Sequence, residues 1–188
     1  LPDDEILTAY TDNMLKNLRG DTNAENSRKI IEAADMISRA RRVFIVGFRT
    51  CAGFASMVGV MLTCVRPDVF LAGNGNPLID SLIDMREDDL MIAISFKRYS
   101  SEAAFAAQMA HDAGCPVIAM TDSYAAPIAK GASKVIISNT GNMGFFDSYV
   151  SFVANMEKIF VLVSKRDREG NEARLVKMEK YMRITGQY

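Results

Sequence analysis

Three short stretches of this 188-residue chain gather groups that could hold a small anion. Gly47-Phe48-Arg49-Thr50-Cys51 offers a cation and a hydroxyl. Ser95-Phe96-Lys97-Arg98-Tyr99-Ser100-Ser101-Glu102 offers two cations, three serines and a carboxylate, and Thr121-Asp122-Ser123 adds two hydroxyls. Each stretch is a polar turn that follows a short apolar run and feeds a helical pattern. Hydroxyls and free backbone N–H groups at a helix start make an anion site without a large charge. Arg49, Lys97 and Arg98 add charge, and the whole set suits a phosphate or a carboxylate. Capping alone would also account for Ser100 and Ser101, with the cations left to solvent.

Other chemistries find less support. Gly47 is followed by no second glycine at dinucleotide-binding spacing, and no Gly-Lys-Ser/Thr follows, so nucleotide binding is not expected. The single histidine, His111, falls two turns into a helical stretch, where a surface or helix-end role fits better than a catalytic one. Glu102 could abstract a proton in an aldose–ketose isomerisation, or could simply favour a helix dipole from its first turn. Cys51 stands at a helix start beside Arg49, which could lower its pKa and make it a reactive thiol, although a passive, weakly hydrogen-bonding role fits better. Cys51, Cys64 and Cys115 are widely spaced and form no C-x-x-C pair, so neither zinc nor a disulfide is indicated. Free thiols in a reducing cytoplasm are the reading, with no metal and no cofactor. The twelve methionines are packing residues.

The elements that must carry these turns can be read from hydrophobic spacing. A first helix is expected over about Asp3 to Leu18, ended by Gly20-Asp21. Thr22 with Glu25 would form a capping box for a second helix, whose Ile30, Ala33, Ala34 and Ile37 share one face. Arg39, Arg41 and Arg42 mark its basic end. Short apolar runs then alternate with helical stretches. The strands are Val43–Val46, Val69–Leu71, Leu90–Ile94, Val117–Met120 and Val135–Ile137. Between them lie helices over about Ala52–Val65, Leu78–Met85 and Ser101–Ala113, and a short one near Pro127. A long helix is expected from about Phe146 to Ser164, opened by Asp147 and Ser148. Those two could reach the pocket, from this or a partner subunit, or serve only as caps. A last helix carries Leu175, Met178 and Met182 on one side and would pack on a neighbour.

This alternation predicts an α/β, three-layer sandwich: a five-stranded parallel sheet, doubly wound in the flavodoxin manner, with helices on both faces. In such sheets ligands bind beyond the carboxyl ends of the strands, where the three turns fall. With 49% hydrophobic and 24% charged residues the chain is globular, and a net charge of −1 gives it no general attraction to nucleic acid. The uncharged stretch from Thr50 to Val65 is too short for a membrane span. The acidic start is unlike a signal peptide.

The turns together resemble the sugar isomerase (SIS) domain family, whose motifs are Gly-x-Gly-x-Ser after strand one and Ser-x-Ser-Gly-x-Thr-x-Glu after strand three. Gly47 matches the first glycine, Cys51 falls on the serine, and Arg49 replaces the second glycine. Ser95, Ser100 and Glu102 match in kind, whereas Lys97 and Arg98 replace a serine and a glycine. The variant pattern resembles the RpiR/MurR transcriptional regulators, as do Arg66-Pro67 and Phe145-Phe146-Asp147-Ser148. The resemblance implies a non-catalytic sensing domain over residues 23–188, preceded by a linker helix over 1–22. The DNA-binding helix-turn-helix domain would lie upstream of a chain that starts without methionine. It further implies a homodimer or higher homo-oligomer, an anionic sugar ligand and a cytoplasmic location, with no membrane partner. The ligand would be a phosphosugar first, or a sugar acid given the two replacements. An isomerase on the same fold is the alternative. The implied ligand set is Gly47, Arg49, Thr50, Cys51, Ser95, Lys97, Arg98, Ser100, Ser101, Glu102, Asp147 and Ser148, with no residue assigned to catalysis.

Overall fold

The structure is a computed structural model describing residues 2–187; residues 1 and 188, the outer limits expected for the linker and the domain, lie outside it. Five strands build one parallel sheet: β1 (Val43–Gly47), β2 (Val69–Leu71), β3 (Leu90–Ile94), β4 (Val117–Thr121) and β5 (Lys134–Ile137). Their order is β2-β1-β3-β4-β5, the expected doubly wound arrangement. The helices are α1 (Asp3–Asp21), α2 (Ala24–Arg39), α3 (Thr50–Val65), α4 (Leu78–Leu82), α5 (Ser101–Asp112), α6 (Val150–Arg166) and α7 (Arg168–Ile184).

β1, β3 and β4 are buried along their whole length, which is why they read as unbroken apolar runs rather than alternating ones. Val43, Ile45, Ile92, Ile94, Ile118 and Met120 face a core shared with Ile37 of α2, Leu62 of α3 and Phe152 of α6. Phe44, Val46, Met91, Ala93, Val117 and Ala119 point the other way, onto Leu82 of α4 and the alanine face of α5. Ala103, Ala106, Ala107 and Ala110 are small enough to let α5 lie close on the sheet. Registers run from Val43–Leu90 to Gly47–Ile94, so β1 and β3 finish side by side.

Several local expectations are corrected. α1 runs past Leu18 and takes in Gly20 and Asp21 as its last residues, its end held by tertiary bonds. Asp21 accepts hydrogen bonds from the Asn139 amide at 2.8 Å and from Asn139 Nδ2 at 2.6 Å. The capping box is absent. Asn23 caps α2, its side chain accepting from the Asn26 amide at 2.8 Å, while Glu25 pairs with Lys29 at 2.8 Å. α4 stops at Leu82, and the short element at Pro127–Ala129 is a single 3-10 turn. α6 begins at Val150, so Phe146, Asp147 and Ser148 belong to the loop before it. α7 packs on α3 and α6, tied by Asn171 to the Ser164 carbonyl at 3.0 Å and by Arg174 to the Thr63 carbonyl at 2.6 Å, and leaves Leu175 of its apolar stripe exposed. Among the described residues, no helix is long and apolar enough to cross a membrane.

Arg66 lies at the amino ends of the strands, far from the turns. Its buried guanidinium donates to the carbonyls of Ile37, Ala40 and Arg41 and so closes the end of α2, where a cation is favoured. At the same end the Asp89 side chain is fully buried. It accepts from Arg41 Nη2 at 2.8 Å, from Arg42 Nη2 at 3.0 Å and from the Arg86 amide at 3.0 Å. Burial pushes this carboxyl up, but the bonds from Arg42 and the Arg86 amide and the charge of Arg42 outweigh it and leave it below its ordinary value. A depressed carboxyl contributes stability that is present above the ordinary carboxylate range and lost as pH falls through the folded-state value. Asp89→Asn should cost about 3 kcal/mol in urea unfolding at pH 7, by leaving two arginines without their buried partner. The gap between parent and variant should narrow at pH 3; a gap that is constant with pH would mean the ion cluster contributes nothing.

Candidate functional site

The β1–α3 turn is set by a close approach. A Cβ at Gly47 would come within 2.5 Å of the Cys51 carbonyl oxygen, so only glycine lets α3 start this near the strand. Arg49 follows at φ 57° and ψ −125°, a left-handed conformation costly for a side-chain-bearing residue. That is the position where the family pattern has glycine. Gly73 meets the same turn from β2: a Cβ there would lie 2.7 Å from the Phe48 ring. Asn74 Nδ2 also donates to the Gly47 carbonyl at 2.9 Å.

The β3–α5 turn is organised by serines. The Ser100 hydroxyl caps α5, accepting from the Ala103 amide at 3.2 Å, and the Ser95 hydroxyl accepts from the Ser100 amide at 3.3 Å. Ser100 and Ser101 also donate to the Glu102 carboxylate, at 2.7 and 3.3 Å. The Ser100 bond, with Glu102's own amide and Ser101, holds the exposed Glu102 carboxyl below its ordinary value. Tyr99 Oη donates to Asp122 at 3.0 Å and ties this turn to the one after β4.

Between the two turns lies a hollow of about 430 Å³. Its cationic wall is Arg49, Lys97 and Arg98, all exposed, joined by Thr50 and Cys51. Among the described residues none of the three cations is in an ion pair. The strap formed by residues 138–149 adds Phe145, Phe146, Asp147 and Tyr149 to the lining. Phe145 is 90% exposed and meets Phe146 edge to face at 5.2 Å, an apolar pair standing in water at the mouth. Phe96 and Tyr149 pack edge to face at 5.4 Å beneath, on Phe54 and Phe152.

Of the residues expected from sequence, Arg49, Thr50, Cys51, Lys97, Arg98 and Asp147 line one hollow. Gly47, Ser95, Ser100, Ser101, Glu102 and Ser148 do not. Gly47 and Ser95 shape the turns from below, Ser100 is a cap, Ser101 and Glu102 face outward, and Ser148 is buried with its amide on the Thr140 carbonyl at 3.3 Å. Asp147 caps nothing; it accepts from Asn142 Nδ2 at 2.9 Å. The aromatic wall (Phe48, Phe96, Phe145, Phe146 and Tyr149) was not anticipated as lining. The signal was a pair of adjacent phenylalanines in a polar stretch, which a helix starting at Phe146 would have turned inward.

Burial pushes the Cys51 thiol up rather than down, which speaks against a reactive thiol and for the passive role. All three cysteines are free. His111 sits in the last turn of α5, its Nε2 3.0 Å from the Lys130 carbonyl. Among the described residues no cluster of three or more His, Cys, Asp or Glu could hold a metal.

A family model described as the SIS domain matches residues 36–163. Among solved structures, the sugar isomerase domain of an RpiR transcription factor from Sphaerobacter thermophilus is 27% identical. It aligns over 95% of this chain and 98% of its own with a TM-score of 0.83. The Vibrio vulnificus NanR protein complexed with ManNAc-6P is 12% identical, with 96% of this chain and 69% of that one covered and a TM-score of 0.77. Phosphoheptose isomerase GmhA from Neisseria gonorrhoeae is 13% identical over 88% and 98%, TM-score 0.69. The last two likenesses concern the fold alone. No curated protein sequence matches the chain.

Arg49 is where the hollow trades stability for charge. Arg49→Gly should raise stability by about 1 kcal/mol, because glycine relieves the positive φ at a modest entropic cost. Chemical denaturation would read this, and a variant less stable than the parent would mean that the turn holds arginine without strain.

Proposed function

The chain belongs to the SIS domain family, and from that premise we propose that it is the ligand-sensing domain of an RpiR-type transcriptional regulator, holding an anionic sugar in the hollow between the β1 and β3 turns. The observation that carries this reading is the convergence of three unpaired cations on one aromatic-walled cavity. A phosphate or carboxylate would meet Arg49, Lys97 and Arg98 together with amides at the starts of α3 and α5. The aromatic faces suit the apolar C–H faces of a sugar ring. Two of three cations stand where the family pattern has glycine, which supports a site resting more on charge than on backbone amides.

Sensing is favoured over isomerisation by the disposition of the acid–base groups. Moving a proton between adjacent carbons needs a base within reach of the substrate. Glu102 lies outside the lining and is engaged by two serine hydroxyls, and His111 is at the far end of α5. Asp147 is the one carboxylate in the wall, and a single such group serves to orient a hydroxyl of the ligand. Phosphosugars are the first ligand class, and sugar acids the second. Within the regulator, residues 1–22 would join a DNA-reading domain to the sensing domain over 23–188, acting as a homodimer in the cytoplasm.

A thermal-shift screen of the chain against glucose 6-phosphate, fructose 6-phosphate, 6-phosphogluconate and gluconate tests the hollow. A compound at 100 times its Kd should stabilise by about 2.7 kcal/mol. Lys97→Ala and Arg98→Ala should each weaken binding by about ten-fold or more, the worth of one charge-assisted hydrogen bond. An undiminished response in both variants would move the site elsewhere. Conversion of any of these sugars by the chain, seen by NMR, would favour the isomerase.

A further inference from the structure

We propose that one face of α1, carrying Asn13, Asn17 and Asp21, is a latch that positions the pocket-lining strap, so that the placement of the strap and of α1 are coupled. The link to ligand rests on the reading of the hollow as the sugar site; the latch itself does not. The three residues are spaced by four and therefore stand in one row along the helix. All three reach the same short segment. Asn13 Nδ2 and Asn17 Nδ2 donate to the Gly141 carbonyl at 2.6 and 2.7 Å. Asp21 accepts from the backbone amide and the side chain of Asn139 at 2.8 and 2.6 Å. The contact is close on both sides. A Cβ on Gly141 would lie 3.1 Å from Asn17 Oδ1, and one on Gly20 would lie 3.1 Å from Asn139 Nδ2.

Residues 139–141 are the root of the strap whose tip is Phe145, Phe146 and Asp147. Root and tip are joined by bonds inside the strap. Asn142 Nδ2 donates to Asp147 at 2.9 Å, the Gly144 amide donates to Asn142 Oδ1 at 3.2 Å, and the Ser148 amide donates to the Thr140 carbonyl at 3.3 Å. A displacement at the tip is therefore carried to the root instead of being absorbed along the way. On the other side, residues 3–8 of α1 are exposed, and the helix packs on α6 and is tied to the strap by this row. Asn17 and Asp21 are 7% and 6% exposed, and losing their partners would strand buried polar groups. Such a contact favours two discrete arrangements, docked and released, over a continuous slide. The row makes Asn13, Asn17 and Asp21 positioning residues for the hollow: they touch no ligand, but they set where Phe145, Phe146 and Asp147 stand.

Coupling of this kind is reciprocal, so it can be tested from both ends without a ligand. The chain has no tryptophan, so Met143→Trp places a single reporter on the strap outside the cavity lining. In that background Asn13→Ala and Asn17→Asp should make the reporter more accessible to acrylamide. Each bond lost should shift the ratio of docked to released strap by about five-fold. Thr11→Ala, on another face of α1, should not. From the strap side, Gly141→Ala should speed amide hydrogen exchange at residues 13–21 while leaving the β-strands protected. Unchanged quenching in both latch variants, or unchanged exchange in α1, would overturn the latch. So would changes that appear only in proportion to a fall in global stability. If the reporter responds but no sugar in the thermal screen binds, the latch stands and the proposed function falls.

Discussion

The chain leaves β1 for one face of the sheet and β3 for the other, and the hollow follows from that divergence. α3 joins the core with α2 and α6, whereas α5 joins the opposite core with α4. Because β1 and β3 are paired neighbours that end in register, two turns that start side by side must separate within one residue or two. Space opens between them, flanked by the amino ends of two helices, where positive dipole ends already favour an anion. Right-handed crossovers leave the chain no other way to wind this strand order.

The two ends of the sheet treat charge in opposite ways. At the amino ends, Asp89 is buried and answered by Arg41 and Arg42, and Arg66 spends its donors on helix carbonyls. The buried charges there, Asp89 and Arg66, are both engaged, as burial demands. At the carboxyl ends, Arg49, Lys97 and Arg98 stand exposed around one cavity without carboxylate partners among the described residues. Exposure keeps the cost of leaving them unpaired low. The positive φ at Arg49 is a second sign that stability has been given up locally, since glycine would occupy that backbone conformation without strain.

The strap ties these features to the rest of the molecule. It brings aromatic side chains to the same hollow as the cations, and its root is bound by the second half of α1. The same bonds carry α1 past Gly20, a residue that on its own would favour stopping the helix. A long-range contact thus decides both where a helix ends and where a wall of the cavity stands.

Much of this was legible from local pattern. Short continuous apolar runs such as Leu90–Ile94, bounded by turn residues, read as strands covered on both faces, and the alanines of α5 read as a helix lying close on a sheet. Strand and helix alternation then fixed the winding, and with it the end of the sheet where polar turns converge. Those are short-range properties, written in residues a few positions apart. Tertiary structure decided the rest. Thr22 and Glu25 satisfied a capping pattern, yet Asn23 took the role because Asp21 was drawn into α1 by Asn139, more than a hundred residues away. Phe146 was read as helix, yet it lies in the strap, whose course is set by Asn13 and Asn17. Ser95 and Ser100 match a motif, and the structure shows the share of their hydroxyls that goes into the turn: Ser95 accepts from the Ser100 amide and Ser100 caps α5. Which side chains line the hollow and which build the turns depends on partners that a linear pattern does not contain, because hydrogen-bonding capacity is finite and is allotted only once distant segments meet.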